Sequence, residues 1–286
     1  MKGLFKYLLP WLLTLSAVIS CDGLILPAAD QKIVIDGEIE DGGYPIVKVT
    51  ATIPVSKEYT NYSDLKDYVL NWAKVTVSGP EGDVVLTGRK SEKDFPPYIF
   101  TTTKMKGRAG EKYKVRVDYG DESAEAETTI PSPVELAGFK VEKDENGYYR
   151  IIASLKGREE LRDNCRFFVM VDQKDSTYLP SFMGLVNSEI LPEEGKEVTV
   201  CRGMATTANE FKPYYEAGDV VHIKFVTMDE ISYLYWSDYE DLSTFSRNPF
   251  FPSSVSIRSN ISGGLGLWAG YGATKYIIAI PSEARP

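Results

Sequence analysis

Two hydrophobic periodicities alternate along this chain, and they predict strands for most of its length and one helix near its end. In residues 32–40, Ile33, Ile35 and Gly37 alternate with Val34, Asp36 and Glu38, the period of a strand buried on one face. Residues 47–53, dense in β-branched side chains, predict a second strand after the Asp41-Gly42-Gly43 turn. Leu65, Tyr68, Val69 and Trp72 fall at helical spacing with Ser63 as a cap, so 63–72 predicts a short helical turn. Residues 74–78 and 84–87 flank Gly79-Pro80-Glu81-Gly82 as a hairpin, and 98–103, 112–117 and 124–130 follow as further strands. About seven short strands in about 100 residues predict an immunoglobulin-like or fibronectin-like sandwich.

Pro131-Ser132-Pro133 breaks any ladder and marks a domain boundary. Beyond it, 139–142 and 148–154 flank Asp144-Glu145-Asn146-Gly147, whose Asn-Gly step is a hairpin signal. That acidic turn lacks the further ligands a calcium loop needs. Residues 157–164 read as a charged loop, 166–172 as a buried strand, and 173–197 as a polar excursion before strands at 198–201 and 220–227. The period then changes. Ile231, Leu234, Tyr235, Tyr239 and Leu242 recur at helical spacing, with Thr227 to Glu230 as a capping box. Residues 254–259, 263–272 and 276–280 return to strand character. The expected architecture is mainly β: an N-terminal sandwich over 32–132 and a C-terminal β-rich domain over 133–281 with one packed amphipathic helix.

The first residues follow a different grammar. Lys2 and Lys6 precede an apolar run over 8–19 that is short for a membrane span, the form of a secretory signal peptide over 1–20. It ends in Ser20-Cys21, and a cysteine directly after a small residue is what a lipoprotein signal peptidase requires. Cys21 is therefore the expected lipidation site and the link to a membrane, with 21–31 as a tether. A diacyl thioether together with an amide-linked chain is enough for stable anchoring.

Removing 1–20 takes two lysines and no acids, which moves the formal net charge from -9 to -11. A chain that acidic has no electrostatic reason to seek nucleic acid or anionic lipid. With Cys21 lipidated, Cys165 and Cys201 remain. Both lie in strand-like runs, and in an oxidising compartment they are either a disulfide pair or two separate buried thiols. His222 is the single histidine, which excludes a multi-histidine metal centre; no catalytic, metal or cofactor site is expected. A hydrolase would have to use His222 or an acidic pair in a cleft, and Val221-His222-Ile223 predicts that histidine buried between strands.

The Gly263-Gly264-Leu265-Gly266 run lacks the Lys-Ser or Lys-Thr of a phosphate loop, and Ala269 stands where a dinucleotide fingerprint needs its third glycine. It reads instead as a tightly packed strand and turn. Aromatics make up 12% of the chain and crowd its last third, where core packing is their ordinary use. Trp236, off the apolar stripe of its helix, and Trp268 with Tyr271 are the candidates for ligand contact. Carboxylates alternate with apolar residues as on a solvated sheet face, and no acid-base pair stands out.

The stretch Arg258-Ser259-Asn260-Ile261-Ser262-Gly263-Gly264-Leu265-Gly266-Leu267-Trp268-Ala269-Gly270-Tyr271 resembles the closing motif of the domain of unknown function 4249 family, uncharacterised lipoproteins of Bacteroidota. Val34-Ile35-Asp36-Gly37, the block Asn71 to Val77 and Ala109-Gly110-Glu111-Lys112-Tyr113 support it in order and spacing, so that it covers roughly 21–281. The resemblance implies an outer-membrane lipoprotein, a TonB-dependent transporter as partner, and no catalytic residues. Only Asp22 is acidic between Cys21 and Asp30, so an export signal for the outer face is lacking and the membrane face stays open. Rival readings are an adhesin or glycan-binding module, which needs exposed aromatics, and an envelope hydrolase.

Overall fold

The computed structural model describes residues 31–53, 62–203, 211–245 and 256–282. Cys21, the signal segment and nearly all of the tether lie outside them. The chain is mainly β, with three sheets and, among the described residues, one α-helix. The strands of the first half are β1 (Ile33–Glu40), β2 (Ile46–Ala51), β3 (Lys74–Gly79), β4 (Gly82–Val85), β5 (Thr87–Lys90), β6 (Tyr98–Thr101), β7 (Lys112–Tyr119) and β8 (Glu122–Thr129). The second half holds β9 (Gly138–Lys143), β10 (Tyr149–Leu155), β11 (Asn164–Val171), β12 (Leu179–Val186), β13 (Lys196–Val200), β14 (Val220–Met228), the helix α1 (Glu230–Phe245) and β15 (Gly264–Ala279). A 3-10 turn over Tyr62–Tyr68 occupies the place of the predicted helical turn.

One eight-stranded sheet runs in the order β12-β11-β14-β15-β1-β2-β6-β5 and is the common layer of the structure. Alternation along its strands sends two sets of side chains to opposite faces. On one face, Ile33, Ile35, Val47 and Val49 pack against Val75, Val77, Val115, Val117 and Ala124 of the β4-β3-β7-β8 sheet, a sandwich core. Farther along the same face, Phe167, Val169, Val221, Ile223 and Phe225 pack against Ile151, Ala153 and Val200 of the β13-β10-β9 sheet. The first core ends with Ile130 in the run up to the prolines and the second begins with Leu136, so 131–133 is where the chain passes between them. The opposite face carries a third, smaller cluster beneath α1, including Phe168, Val226, Leu267 and Tyr271.

β15 joins the two cores. Its residues 264–271 pair parallel with β1 at one edge, and 272–279 pair antiparallel with β14 at the other. The sequence predicts two strands here, at 263–272 and 276–280. The structure has one strand of 16 residues, roughly 50 Å long. The glycines serve close approach: a Cβ at Gly270 would lie 2.9 Å from the Thr129 carbonyl oxygen, and one at Gly272 would lie 2.5 Å from that of Pro131.

Four further expectations change. The excursion 173–197 contains β12, and Thr87–Lys90 forms β5; both are edge strands of the large sheet. Pro180 and Gly184 hide the first and the lack of apolar side chains hides the second, features that an edge tolerates. Thr227 does not cap the helix, because it is buried in β14 with its hydroxyl donating to the Ser132 carbonyl at 2.8 Å. Asp229 caps instead, its carboxylate accepting from the Ser232 amide at 3.0 Å. Residues 256–259 are not a strand, and 254–255 lie outside the described residues.

Gly266 is the most demanding position in β15. Its φ is +109, and a Cβ there would sit 2.0 Å from the Ile35 carbonyl oxygen across the parallel ladder. Gly266→Ala is expected to lower stability by more than about 2 kcal/mol through strain and a lost β1 register; urea unfolding followed by near-ultraviolet circular dichroism checks this.

Candidate functional site

Alternation in β1 puts Asp36, Glu38 and Glu40 on the helix-covered face, level with Lys224 of β14 and Lys275 of β15. The apolar neighbours of Lys224, Ile223 and Phe225, must enter the second core, so the lysine faces the other way and is 3% exposed. Its Nζ lies 2.5 Å from Glu40 Oε1 and 3.3 Å from Glu38 Oε1. Lys275 Nζ donates to the second oxygen of Glu40 at 2.7 Å. Phe168, Tyr178 and Tyr271 surround the Lys224 ammonium with ring centroids at 5.0, 5.4 and 5.9 Å, within cation–π range.

The electrostatics follow from burial and pairing. Burial alone would pull the Lys224 ammonium down, but Glu38 and Glu40 outweigh it and its pKa is raised. Burial would push the Glu40 carboxyl up; Lys224 and Lys275 outweigh that and hold it below the usual carboxylate range. For Glu38 burial prevails over Lys224, and its pKa is raised. Lys224 is thus held as a cation and Glu40 as an anion across neutral pH, the opposite of the tuning that a general acid or base needs.

A second buried cation lies beside the first. Arg166 of β11 is 1% exposed, its guanidinium 4.4 Å from the Trp236 ring centroid and 3.0 Å from Glu240 Oε1 on α1. Trp236 Nε1 donates to the Tyr271 hydroxyl at 2.9 Å. Asp238 of α1 accepts from Arg258 through the backbone amide at 2.8 Å and from the guanidinium at 2.6 and 2.8 Å. These hydrogen bonds to Arg258 hold the Asp238 carboxyl below its ordinary value. The residues 36–40, 166, 224 and 238–240 therefore fasten α1 to the sheet and one half of the sheet to the other.

Two of the predicted ligand-contact residues, Trp268 and Tyr271, lie inside the fold. Trp268 is fully buried in the first core, where its Nε1 donates to the Tyr113 carbonyl at 3.1 Å. Tyr271 is 1% exposed under α1, and Trp236 is half-buried between Arg166 and Tyr271. They lie on opposite faces or beneath the helix because Trp268 and Tyr271 differ by an odd number of positions in a strand of period two. Cys165 and Cys201 are both free thiols, the first buried in the second core, so the disulfide alternative is not realised. Burial pushes both thiols up, Cys165 well up, which keeps them protonated and inert. His222 is half-buried rather than buried. Its Nε2 lies 2.8 Å from Asp172 Oδ1, a carboxylate and not a hydroxyl or thiol. Among the described residues no three of His, Cys, Asp and Glu come together as a metal-binding group.

One opening with apolar walls lies elsewhere, at the rim of the second sandwich where β12 and β13 diverge. It is a cavity of about 160 Å³ lined by Phe167, Met183, Val186, Leu191 and Val198, with Asn187, Lys196 and Thr199 as polar groups. Ile190 and Met183 stand at its mouth, 76% and 73% exposed, and Met183 holds a φ of +52, uncommon for a side chain of its size. Of the wall residues, Met183, Val186 and Leu191 were hidden in the polar excursion, whereas Phe167 and Val198 belong to predicted strands. Lys224 and Arg166 were legible as lone cations within apolar strand runs, a signal that burial with a partner is required.

No model of a known protein family matches this chain. No curated protein matches it either.

Lys224→Met leaves Glu38 without its cation and Glu40 with Lys275 alone, and is expected to cost about 3 kcal/mol near neutral pH. The deficit should shrink towards pH 5, where stranded carboxylates take up protons. In the wild type the Glu40 contribution is present above its unfolded pKa of about 4.3 and is lost as pH falls through the lower folded value. The Lys224 contribution is present below an unfolded pKa of about 10.4 and is lost as pH rises through the higher folded value. Urea titrations of both proteins across pH 4 to 9 distinguish the two profiles.

Proposed function

We propose that this protein is a lipid-anchored outer-membrane lipoprotein that acts as a non-enzymatic binding or accessory component of the cell envelope, of the kind the domain of unknown function 4249 family represents. The observation that carries the reading is that Glu38, Glu40, Lys224 and Lys275, charged side chains gathered from three strands, are consumed in pairing within the protein. Such a set holds a scaffold together, with Lys224 kept as a cation and Glu40 as an anion across neutral pH. The apolar cavity between β12 and β13 supports binding, since apolar walls with a few polar groups are the ordinary make-up of a ligand site.

The first sandwich is read as an immunoglobulin-like or fibronectin-like module, supported by its two facing layers and its short antiparallel hairpins. Cys21 supplies the membrane link, and a TonB-dependent transporter is the partner that the resemblance favours. Trp268 and Tyr271, two of the aromatics on which a glycan-binding reading rested, are buried, which favours the accessory reading over it.

Cys21→Ser is expected to move the protein from the membrane to the soluble fraction by at least about tenfold, since both acyl signals are lost with the thiol; fractionation with immunoblotting reads this, and retention would defeat the anchor. Cross-linking in intact cells followed by purification is expected to recover a transporter in near-stoichiometric amount. Recovery of the lipoprotein alone, with neither partner nor small molecule, would count against an accessory role.

A further inference from the structure

The end of the first sandwich at which the tether enters carries an unusual set of exposed apolar side chains. β1 begins there with Ile33, which pairs with Ala51 at the end of β2, and the Thr52 amide donates to the Lys32 carbonyl at 3.0 Å. β15 begins there too, since Gly264 pairs with Ile33. The second layer reaches the same end: Glu125 bridges Ser262, and a Cβ at Gly264 would lie 3.0 Å from that of Ala124. The β7–β8 hairpin turns at this end, with Tyr119 opposite Glu122, and β3 starts there because Lys74 pairs with Asp118. Trp72 stands two residues before that start.

Four large apolar side chains are exposed around this end: Trp72 at 87%, Ile53 at 44%, Leu265 at 41% and Tyr119 at 40%. Trp72 differs from its counterparts, because Trp236 and Trp268 each spend their indole N–H on a partner within the fold. Nothing in the packing of the core requires a tryptophan at a turn position where nearly nine-tenths of it meets solvent. Tryptophan and tyrosine have a physical preference for the headgroup level of a bilayer, where the ring is apolar and the N–H or O–H remains wet. The ionic side chains nearby are of both signs, Lys32 and Lys74 with Asp118, Asp121 and Glu122, so a neutral headgroup layer suits them better than an anionic one.

Chain connectivity supplies the occupant. The eleven residues 21–31 span at most about 40 Å when fully extended, so a lipid on Cys21 keeps this end within that distance of the membrane. We propose that the Trp72 end of the first sandwich lies against the bilayer, with the Trp72 ring in the interfacial layer of neutral lipid and Tyr119, Ile53 and Leu265 flanking it. The inference rests on the reading of Cys21 as the lipidated residue. It fixes an orientation: the β12–β13 cavity, at the far part of the large sheet, is presented away from the membrane, where a partner can reach it.

The lipidated protein, isolated from membranes and reconstituted into phosphatidylcholine vesicles, tests this by tryptophan fluorescence. After removal of 1–20, the tryptophans are Trp72, Trp236 and Trp268, so the difference between wild type and Trp72→Phe isolates the exposed ring. In vesicles brominated near the top of the acyl chains, that difference signal is expected to fall at least about twofold relative to unbrominated vesicles, as interfacial burial requires. Trp72→Phe itself should show no quenching and an unchanged circular dichroism spectrum. Protein that floats with the vesicles while the Trp72 signal is equal in both lipids overturns the orientation and leaves the anchor standing. Protein that does not float overturns the anchor, and the orientation with it.

Discussion

A single strand has to satisfy two cores at once, and the rest of the structure is arranged around that requirement. β15 lends its first half to a parallel ladder with β1 and its second half to an antiparallel ladder with β14, on opposite edges. A parallel neighbour cannot come from a tight turn and must return from elsewhere in the chain. Here the return takes almost the whole chain, from β1 at the start of the fold to β15 at its end. The first core is incomplete until the last strand arrives, because Trp268 fills its centre and Ile261 its margin. Contacts so distant in sequence make this a topology of high contact order and slow folding.

The second half of β15 places Lys275 beside Lys224, and the parallel register with β1 places Glu38 and Glu40 next to both. Lys224 is buried and Lys275 exposed, and Glu40 lies between them and bonds both. The pairing therefore spans the two cores as well as the two ends of the chain. Replacing such a set by apolar side chains is often neutral for stability, so its value lies in specifying register: only one alignment of β1 on β15 brings the glutamates to the lysines. α1 uses the same device, with Arg166 beneath it and Glu240, Trp236 and Asp238 on it. Chemistry-bearing residues are thus spent on assembly, which leaves the apolar rim of the second sandwich and the tether end of the first as the surfaces free for other molecules.

Much of this was legible in the amino-acid order. Period-two alternation marks β1, β2, β7, β8, β10 and β14 because each is buried on one face and wet or ionic on the other. The stripe Ile231, Leu234, Tyr235 and Tyr239 marks α1, and Pro131-Ser132-Pro133 marks the passage from one core to the next. The edge strands β5 and β12 escape because an edge needs neither an apolar face nor freedom from proline. The ligand-contact residues were misplaced for a related reason: an aromatic side chain reads the same whether it meets a core or solvent, and parity along β15 sends Trp268 and Tyr271 to different faces.

The sequence by itself determined the mainly β class of fold, since periodicity is a local property, and it is the ground on which the lipid anchor at Cys21 is proposed. Only the tertiary structure decided that 264–279 is one strand shared by two cores, that Glu38 and Glu40 are partners of Lys224, and that Trp72 rather than Trp268 is the exposed tryptophan. Those outcomes depend on which segments, far apart in the chain, are brought side by side, and a linear pattern of apolar and polar positions carries the face of a residue but not its neighbour.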